Sequence, residues 1–196
     1  MKGELTKEKI IERSAELFNI YGYHGCSLSD IMKATKLKKG GIYNHFKNKD
    51  EIALEAFDYS YQAVIKRFRS RLDHDKTVTE KLNSIIEVFA SFAPEPVVKG
   101  GCPIFNTAVD SSNSHPALRE KAKQGINNLR KYIEIKIEEG KANGEVRQDV
   151  VANELSTLLI ITLEGAIIMS RVNGNNIHAD IAVKHLKGYL EEKVLA

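Results

Sequence analysis

No segment of this 196-residue sequence alternates β-branched and polar residues in the period of a strand. Its apolar residues recur three and four apart, the repeat that lays one face of an α-helix against a core. Ile10, Ile11, Ala15, Leu17, Phe18 and Tyr21 share such a face, which predicts a helix from about Thr6, a candidate N-cap, to Tyr21, with Gly22 as its stop. "SLSDIMKAT" predicts a second helix capped by Ser27, with Asp30 near its positive end and Leu28, Ile31 and Met32 facing inward. Lys36 and Leu37 leave room only for a tight connection before a third helix of about two turns from Lys39. A long amphipathic helix starts at Lys49 and would bury Ile52, Phe57, Tyr61, Val64, Ile65 and Phe68. "TEKLNSIIEVFASFA" is stopped by Pro94 and Pro96, and "IFNTAVDSS" is short. The next helix starts at Pro116 and ends at Gly140 or Gly144. "DVVANELSTLLIITLEGAIIMSRV" is apolar on more than one face, and "NIHADIAVKHLKGYLEEKVL" is amphipathic. The expectation is an all-α fold of about nine helices without internal repeats.

With 42% hydrophobic and 28% charged residues, the chain reads as globular rather than disordered. The charged start "MKGELTKEKIIERSAELF" has no apolar signal segment. "LSTLLIITL", followed by Glu164, falls short of the roughly 20 residues a bilayer needs. Cys26 and Cys102 match no metal or redox spacing and suit a reducing compartment. A cytoplasmic protein without a membrane partner is expected. No GxSxG, Walker loop, HExxH or CxxC is present, and nothing orients a Cys102–His115 pair, so neither an enzyme nor a cofactor or metal is expected.

Charge is unevenly placed. Lys33, Lys36, Lys38, Lys39, Lys47 and Lys49 fall in one window without Asp or Glu, so the remainder of a chain of net charge +3 sums to −3. That asymmetry fits a polyanion-binding head on a mildly acidic body, and equally a solvated lysine-rich turn. Within the window, "KKGGIYNHF" starts a helix with two glycines, each of which disfavours helix by up to about 1 kcal/mol. Either a Gly-Gly turn precedes the helix, or its start must approach something closely. A short helix entering a DNA major groove has that need. Lys39, Lys47 and Lys49 would then neutralise phosphates, Tyr43 and His45 would bond the DNA backbone, and Asn44 would meet a base edge. Ile42 and Phe46, four apart, would hold the helix on Leu28, Ile31 and Phe18. A head of about 46 residues is too small to close a secure core, so it should pack on the helix from Lys49.

"F-x-x-Y-G-Y-x-G-C-S-L-S-D-I" followed by "G-G-I-Y-N-H-F-K-N-K-D-E-I" resembles the N-terminal signature of the tetracycline-repressor (TetR/AcrR-type) family of bacterial transcriptional regulators, over about Thr6 to Leu54. The resemblance implies a helix-turn-helix head at 1–47 and a ligand-binding and dimerisation body at 48–196. It implies a regulator, in most cases a repressor, that binds a palindromic double-stranded DNA operator as a homodimer and is released by a small-molecule effector. The positions matching the family's DNA contacts are Ser27, Ser29, Lys39, Gly40, Gly41, Tyr43, Asn44, His45 and Lys49. Two departures stand out. Lys38 replaces the usual small hydroxyl cap and becomes an extra candidate phosphate contact, and Gly41 replaces the usual Thr or Ser. Three lysines per head, doubled in a dimer, predict a log–log salt slope near about −5. The alternative reading is a small-molecule-binding or enzymatic helical bundle whose basic head is incidental.

For the body, the resemblance implies pairing of the last two helices between subunits. Leu155, Leu158, Leu159, Thr162, Gly165 and Ala166 on one and Ile181, His185, Leu186, Tyr189 and Leu190 on the other form the candidate stripes. It also implies a ligand cavity, for which Phe57, Tyr61, Phe89, Phe92, Phe105, Tyr132, Ile161 and Met169 are candidates, although aromatics at helical spacing serve cores as readily. Glu164, a lone charge in a very apolar helix, would pair inside the protein or meet a ligand. Cys102, after a Gly-Gly pair, is a further cavity candidate, either a thiol at a helix start or a small buried apolar residue.

Overall fold

The nine expected helices are present in the computed structural model, which describes residues 2–196. They are α1 (Lys2–Gly25), α2 (Leu28–Thr35), α3 (Lys39–Tyr43), α4 (Lys49–Leu72), α5 (Val78–Ser91), α6 (Pro103–Ser111), α7 (Pro116–Asn143), α8 (Ala152–Asn173) and α9 (Ile177–Tyr189), the last continuing into a π-helical turn over Leu190–Val194. The chain divides into two compact units. One comprises the residues up to Val64 together with Val97–Gly125, and the other Ile65–Pro96 together with Ile126–Ala196.

The first unit is built on α1. This helix starts before Thr6, which therefore lies inside it rather than capping it. Gly22 interrupts it as expected, with φ 72° and ψ 172°, and one further turn follows. The break removes the Tyr23 amide from the helical ladder, and Tyr23 N donates instead to Asp110 Oδ2 of α6 at 2.7 Å. Ile10, Cys26, Ile31, Ile42, Phe46 and Ile52 form the head's core, so α4 contributes to that core from its first turn. Asn19 holds the segment before α6 against α1: its Nδ2 donates to the carbonyls of Val98 (3.2 Å), Lys99 (2.9 Å) and Gly101 (3.1 Å). These bonds satisfy buried backbone acceptors and explain why Val97–Gly125 groups with the head. Of the candidate cavity residues, this unit holds Phe57, buried and stacked on Tyr61 with ring centroids 6.3 Å apart, the half-buried Phe105, and Cys102, buried as the N-cap residue of α6.

In the second unit α5 packs on α8 and α9, which pack on each other. Phe68, Phe89 and Phe92 meet edge to face with centroids 5.1 to 6.2 Å apart. Phe89 and Phe92 are thus core rings, Tyr132 is partly exposed and Glu164 is buried. α8 shows two apolar faces. Leu155, Leu159 and Ala166 turn inward, as do Leu186 and Leu190 of the C-terminal helix, so these five belong to the unit's own core and not to a face another subunit could reach. Leu158, Ile161, Ile168, Met169 and Val172 point outward with 39% to 81% of their surface exposed, and Ile177, Ile181, His185 and Tyr189 continue the stripe on α9. Thr162 is intermediate. Ile161 and Met169, expected in a cavity, are therefore on the outer face. One exchange of roles has a simple cause: helical spacing identifies both stripes of a two-faced helix but not which one looks inward. The same apolarity corrects the expectation about membrane-spanning length, because α8, at 22 residues and mean hydropathy 1.6 in its most apolar part, is long and apolar enough to cross a bilayer, with half of that part buried.

Gly22→Ala would place a Cβ 2.4 Å from Asp110 Oδ1 in backbone geometry open essentially to glycine alone. It should destabilise the protein by about 1–3 kcal/mol or more, read as a lowered midpoint in thermal or urea unfolding.

Candidate nucleic-acid interface

α2 is held at its start by a reciprocal cap. Ser27 Oγ donates to Asp30 Oδ2 at 2.6 Å and accepts from Asp30 N at 3.2 Å, while Ser27 N donates to Asp30 Oδ2 at 2.9 Å. These bonds hold the Asp30 carboxyl below the usual carboxylate range. Ser27 is exposed, and its hydroxyl serves the cap. Lys36 ends α2 in the left-handed region at φ 59°, with its N–H bonded to the Lys33 and Met32 carbonyls. α3 follows after Leu37 and Lys38. Lys38 is its N-cap residue and makes no side-chain cap bond, as its lack of an acceptor requires.

The two glycines of α3 have no internal explanation. Among the described residues the positive-φ glycines do not include Gly40 or Gly41. A Cβ at Gly40 would meet nothing within 4 Å, and one at Gly41 only the Leu37 side chain at 3.7 Å. Among the described residues no close contact requires glycine at either position. Ser29, Lys38, Lys39, Tyr43, Asn44 and Lys47 are exposed around this bare backbone, and His45 is half-buried beside Gly3. Lys39 Nζ lies 5.7 Å from the centre of the Tyr43 ring. Ile42 and Phe46 are buried and anchor the helix, as their spacing predicts. Asn48 caps α4 by accepting from Glu51 N at 2.9 Å, and Glu51 Oε2 accepts from Lys47 N at 2.6 Å, leaving the Lys47 side chain outside.

Lys49 departs from expectation. Its Nζ donates to Tyr23 O at 2.7 Å and Cys26 O at 2.8 Å and lies 4.1 Å from the Tyr23 ring centre. Tyr23 in turn donates its hydroxyl to Asp50. Burial, followed by this bond to Asp50, pushes the Tyr23 phenol up to about 12. Burial likewise pushes the Cys26 thiol up to about 11, opposed in part by the Lys49 charge. Cys26, fully buried in the head core, is the space-filler its surroundings suggest.

α3 is thus an exposed short helix whose two glycines no contact within the described residues requires, ringed by lysines and polar side chains. Residues 10–56 match the profile of bacterial regulatory proteins of the tetR family, and residues 78–186, more than half of the chain, match the tetracyclin repressor-like C-terminal domain. The chain belongs to the TetR family. A TetR transcriptional regulator from Chloroflexus aurantiacus is 40% identical, with a TM-score of 0.96 over 99% of this chain and 98% of that one. A TetR-family regulator from Cytophaga hutchinsonii is 31% identical, with a TM-score of 0.88 over 97% and 96%. The repressor DhaR of a Mycobacterium is 25% identical over 170 residues, covering 87% of this chain and 84% of its own. TetR proteins are DNA-binding transcriptional regulators, so this chain is one and the enzymatic alternative falls.

With the Cys26 thiol near 11 against an ordinary 9.0, its thiolate fraction at pH 7 drops about a hundredfold. Alkylation of Cys26 in native protein should be slower than in denaturant by at least that factor, measured by mass spectrometry of quenched time points.

Proposed function

We propose that this TetR-type regulator is a homodimeric, cytoplasmic repressor that holds a palindromic operator through two copies of α3 and lets go when a small molecule binds its body. The observation that carries the DNA half is the bare, solvent-facing Gly40–Gly41 backbone set among exposed lysines. Tyr43 and Asn44 supply the polar readout beside it, Ser29 and His45 flank it, and Lys38, Lys39 and Lys47 provide the phosphate neutralisation. DhaR, which carries the name of a repressor, supports repression over activation.

Homodimerisation is supported by the outward apolar stripe of α8 and α9. Contiguous exposed apolar surface of this kind marks an interface, and a two-fold pairing would cover it. Two heads related by that axis would meet half-sites about one helical turn apart. α4 carries Ile52 in the head core and Phe68 in the core of the second unit, which makes it the covalent element through which an effector can reach the head. Among the cavity candidates Phe57, Tyr61, Cys102 and Phe105 of the first unit remain proposals for effector contact, and so, separately, does Glu164 of the second.

Gel shift against the DNA upstream of the protein's own coding sequence should give a salt-sensitive complex, and Tyr43→Ala should abolish it while leaving the oligomer intact by size exclusion. Ile161→Glu combined with Ile181→Glu should yield a folded monomer by analytical ultracentrifugation. Its operator affinity should fall by about 10²-fold or more as the second head's effective concentration is lost. A dimer that persists in that double variant would place the interface elsewhere.

A further inference from the structure

Lys49 is the residue at which the structure and the family pattern part. The pattern makes it a DNA contact, but the geometry turns its ammonium inward. An ammonium group has three donors. Two end on the carbonyls of Tyr23 (2.7 Å) and Cys26 (2.8 Å), and the third side faces the Tyr23 ring, whose centre is 4.1 Å away. The Tyr23 carbonyl belongs to the last turn of α1, where a helix leaves acceptors without backbone partners and a cation is favoured. The Cys26 carbonyl lies immediately before Ser27, the cap of α2. A single side chain from the first residue of α4 thus closes both ends of the α1–α2 corner.

That corner is fixed from other sides too. Tyr23 N is bonded to Asp110, the Tyr23 hydroxyl to Asp50, and the Cys26 side chain is fully buried. α2 leaves the corner at an angle set by these bonds, and α3 is joined to α2 through only three residues, Lys36 to Lys38.

We propose that Lys49 is a positioning residue for DNA binding: it sets the direction of α2, and through it α3, and does not contact phosphate. The phosphate contacts of the head then fall to its outward lysines, Lys47 and Lys39 foremost. This inference rests on the DNA-binding reading, which the wild-type protein tests separately by binding or failing to bind the operator fragment.

The discriminating measurement is operator affinity as a function of salt for Lys49→Met and Lys47→Met dimers, at a temperature where circular dichroism shows both fully folded. Each lost phosphate contact flattens the log–log slope by about 0.9, so Lys47→Met, present twice per dimer, should flatten it by about 2. Lys49→Met should leave the slope unchanged while affinity falls about tenfold at every salt concentration, because fewer heads hold the competent geometry. In free protein the same variant should speed amide hydrogen exchange at Asp30 and Ile31 while Ile10 and Ala15 keep wild-type protection, a local signature that general destabilisation would not give. If Lys49→Met does not fold, wild-type protein answers instead through the nitrogen resonance of its lysine ammonium groups. Lys49 should be visible without DNA and barely move when the operator is added, whereas Lys47 should shift. A slope flattened by Lys49→Met to the same degree as by Lys47→Met, an unchanged affinity, or a Lys49 resonance displaced by DNA would each overturn the proposal.

Discussion

A three-helix head of this length buries too little apolar surface to stand alone, and Ile52, the fourth residue of α4, is the side chain that completes it. Ile10, Ile31, Ile42 and Phe46 close around Ile52 with almost no exposed surface. The recognition helix is therefore anchored to an element that also carries Phe68 in the aromatic cluster of the second unit. Under the proposed effector release, a displacement of α4 would carry α3 with it, because the head's core includes part of that helix.

Around this packing the polar contacts are distributed by a consistent logic. At the α1–α2 corner and before α6, backbone groups outside the helical ladders are met by side chains of the same unit: Asp110 for the Tyr23 amide, Asn19 for three carbonyls before α6, Lys49 for the Tyr23 and Cys26 carbonyls, and the Ser27–Asp30 cap for the start of α2. α3 receives no such help. It is five residues long, contains two glycines and lacks a side-chain cap. The burial of Ile42 and Phe46 anchors it, with Leu37 packed on the same core.

Most of the helix plan was legible because the apolar spacing is clean and several helix ends are chemically explicit: Ser27 and Asp30, Pro116, Gly144. The anchoring pair Ile42 and Phe46 was equally legible from a separation of four. The inward-turned Lys49 was not, because its acceptors are backbone carbonyls of another helix, and a carbonyl leaves no trace in residue type. The assignment of Leu155, Leu159, Ala166, Leu186 and Leu190 failed for a different reason. α8 has two apolar stripes of similar strength, and which one is covered depends on α5 and α9, a tertiary fact that periodicity does not encode. Ile161 and Met169 were misplaced by the same ambiguity.

The open space around Gly40 and Gly41 also bears on how such a regulator can change. In most proteins a residue that meets a ligand is also wedged among neighbours, so altering its preference disturbs the scaffold. Here a Cβ at position 40 would meet nothing within 4 Å beyond its own stretch of helix, and at position 41 it would rest against Leu37 at ordinary van der Waals distance. The scaffold is indifferent to what stands there, and the small residues replacing glycine would favour the helix if anything. If α3 meets DNA as proposed, divergent copies of the gene can change what these two codons present to it without first acquiring compensating changes in the core.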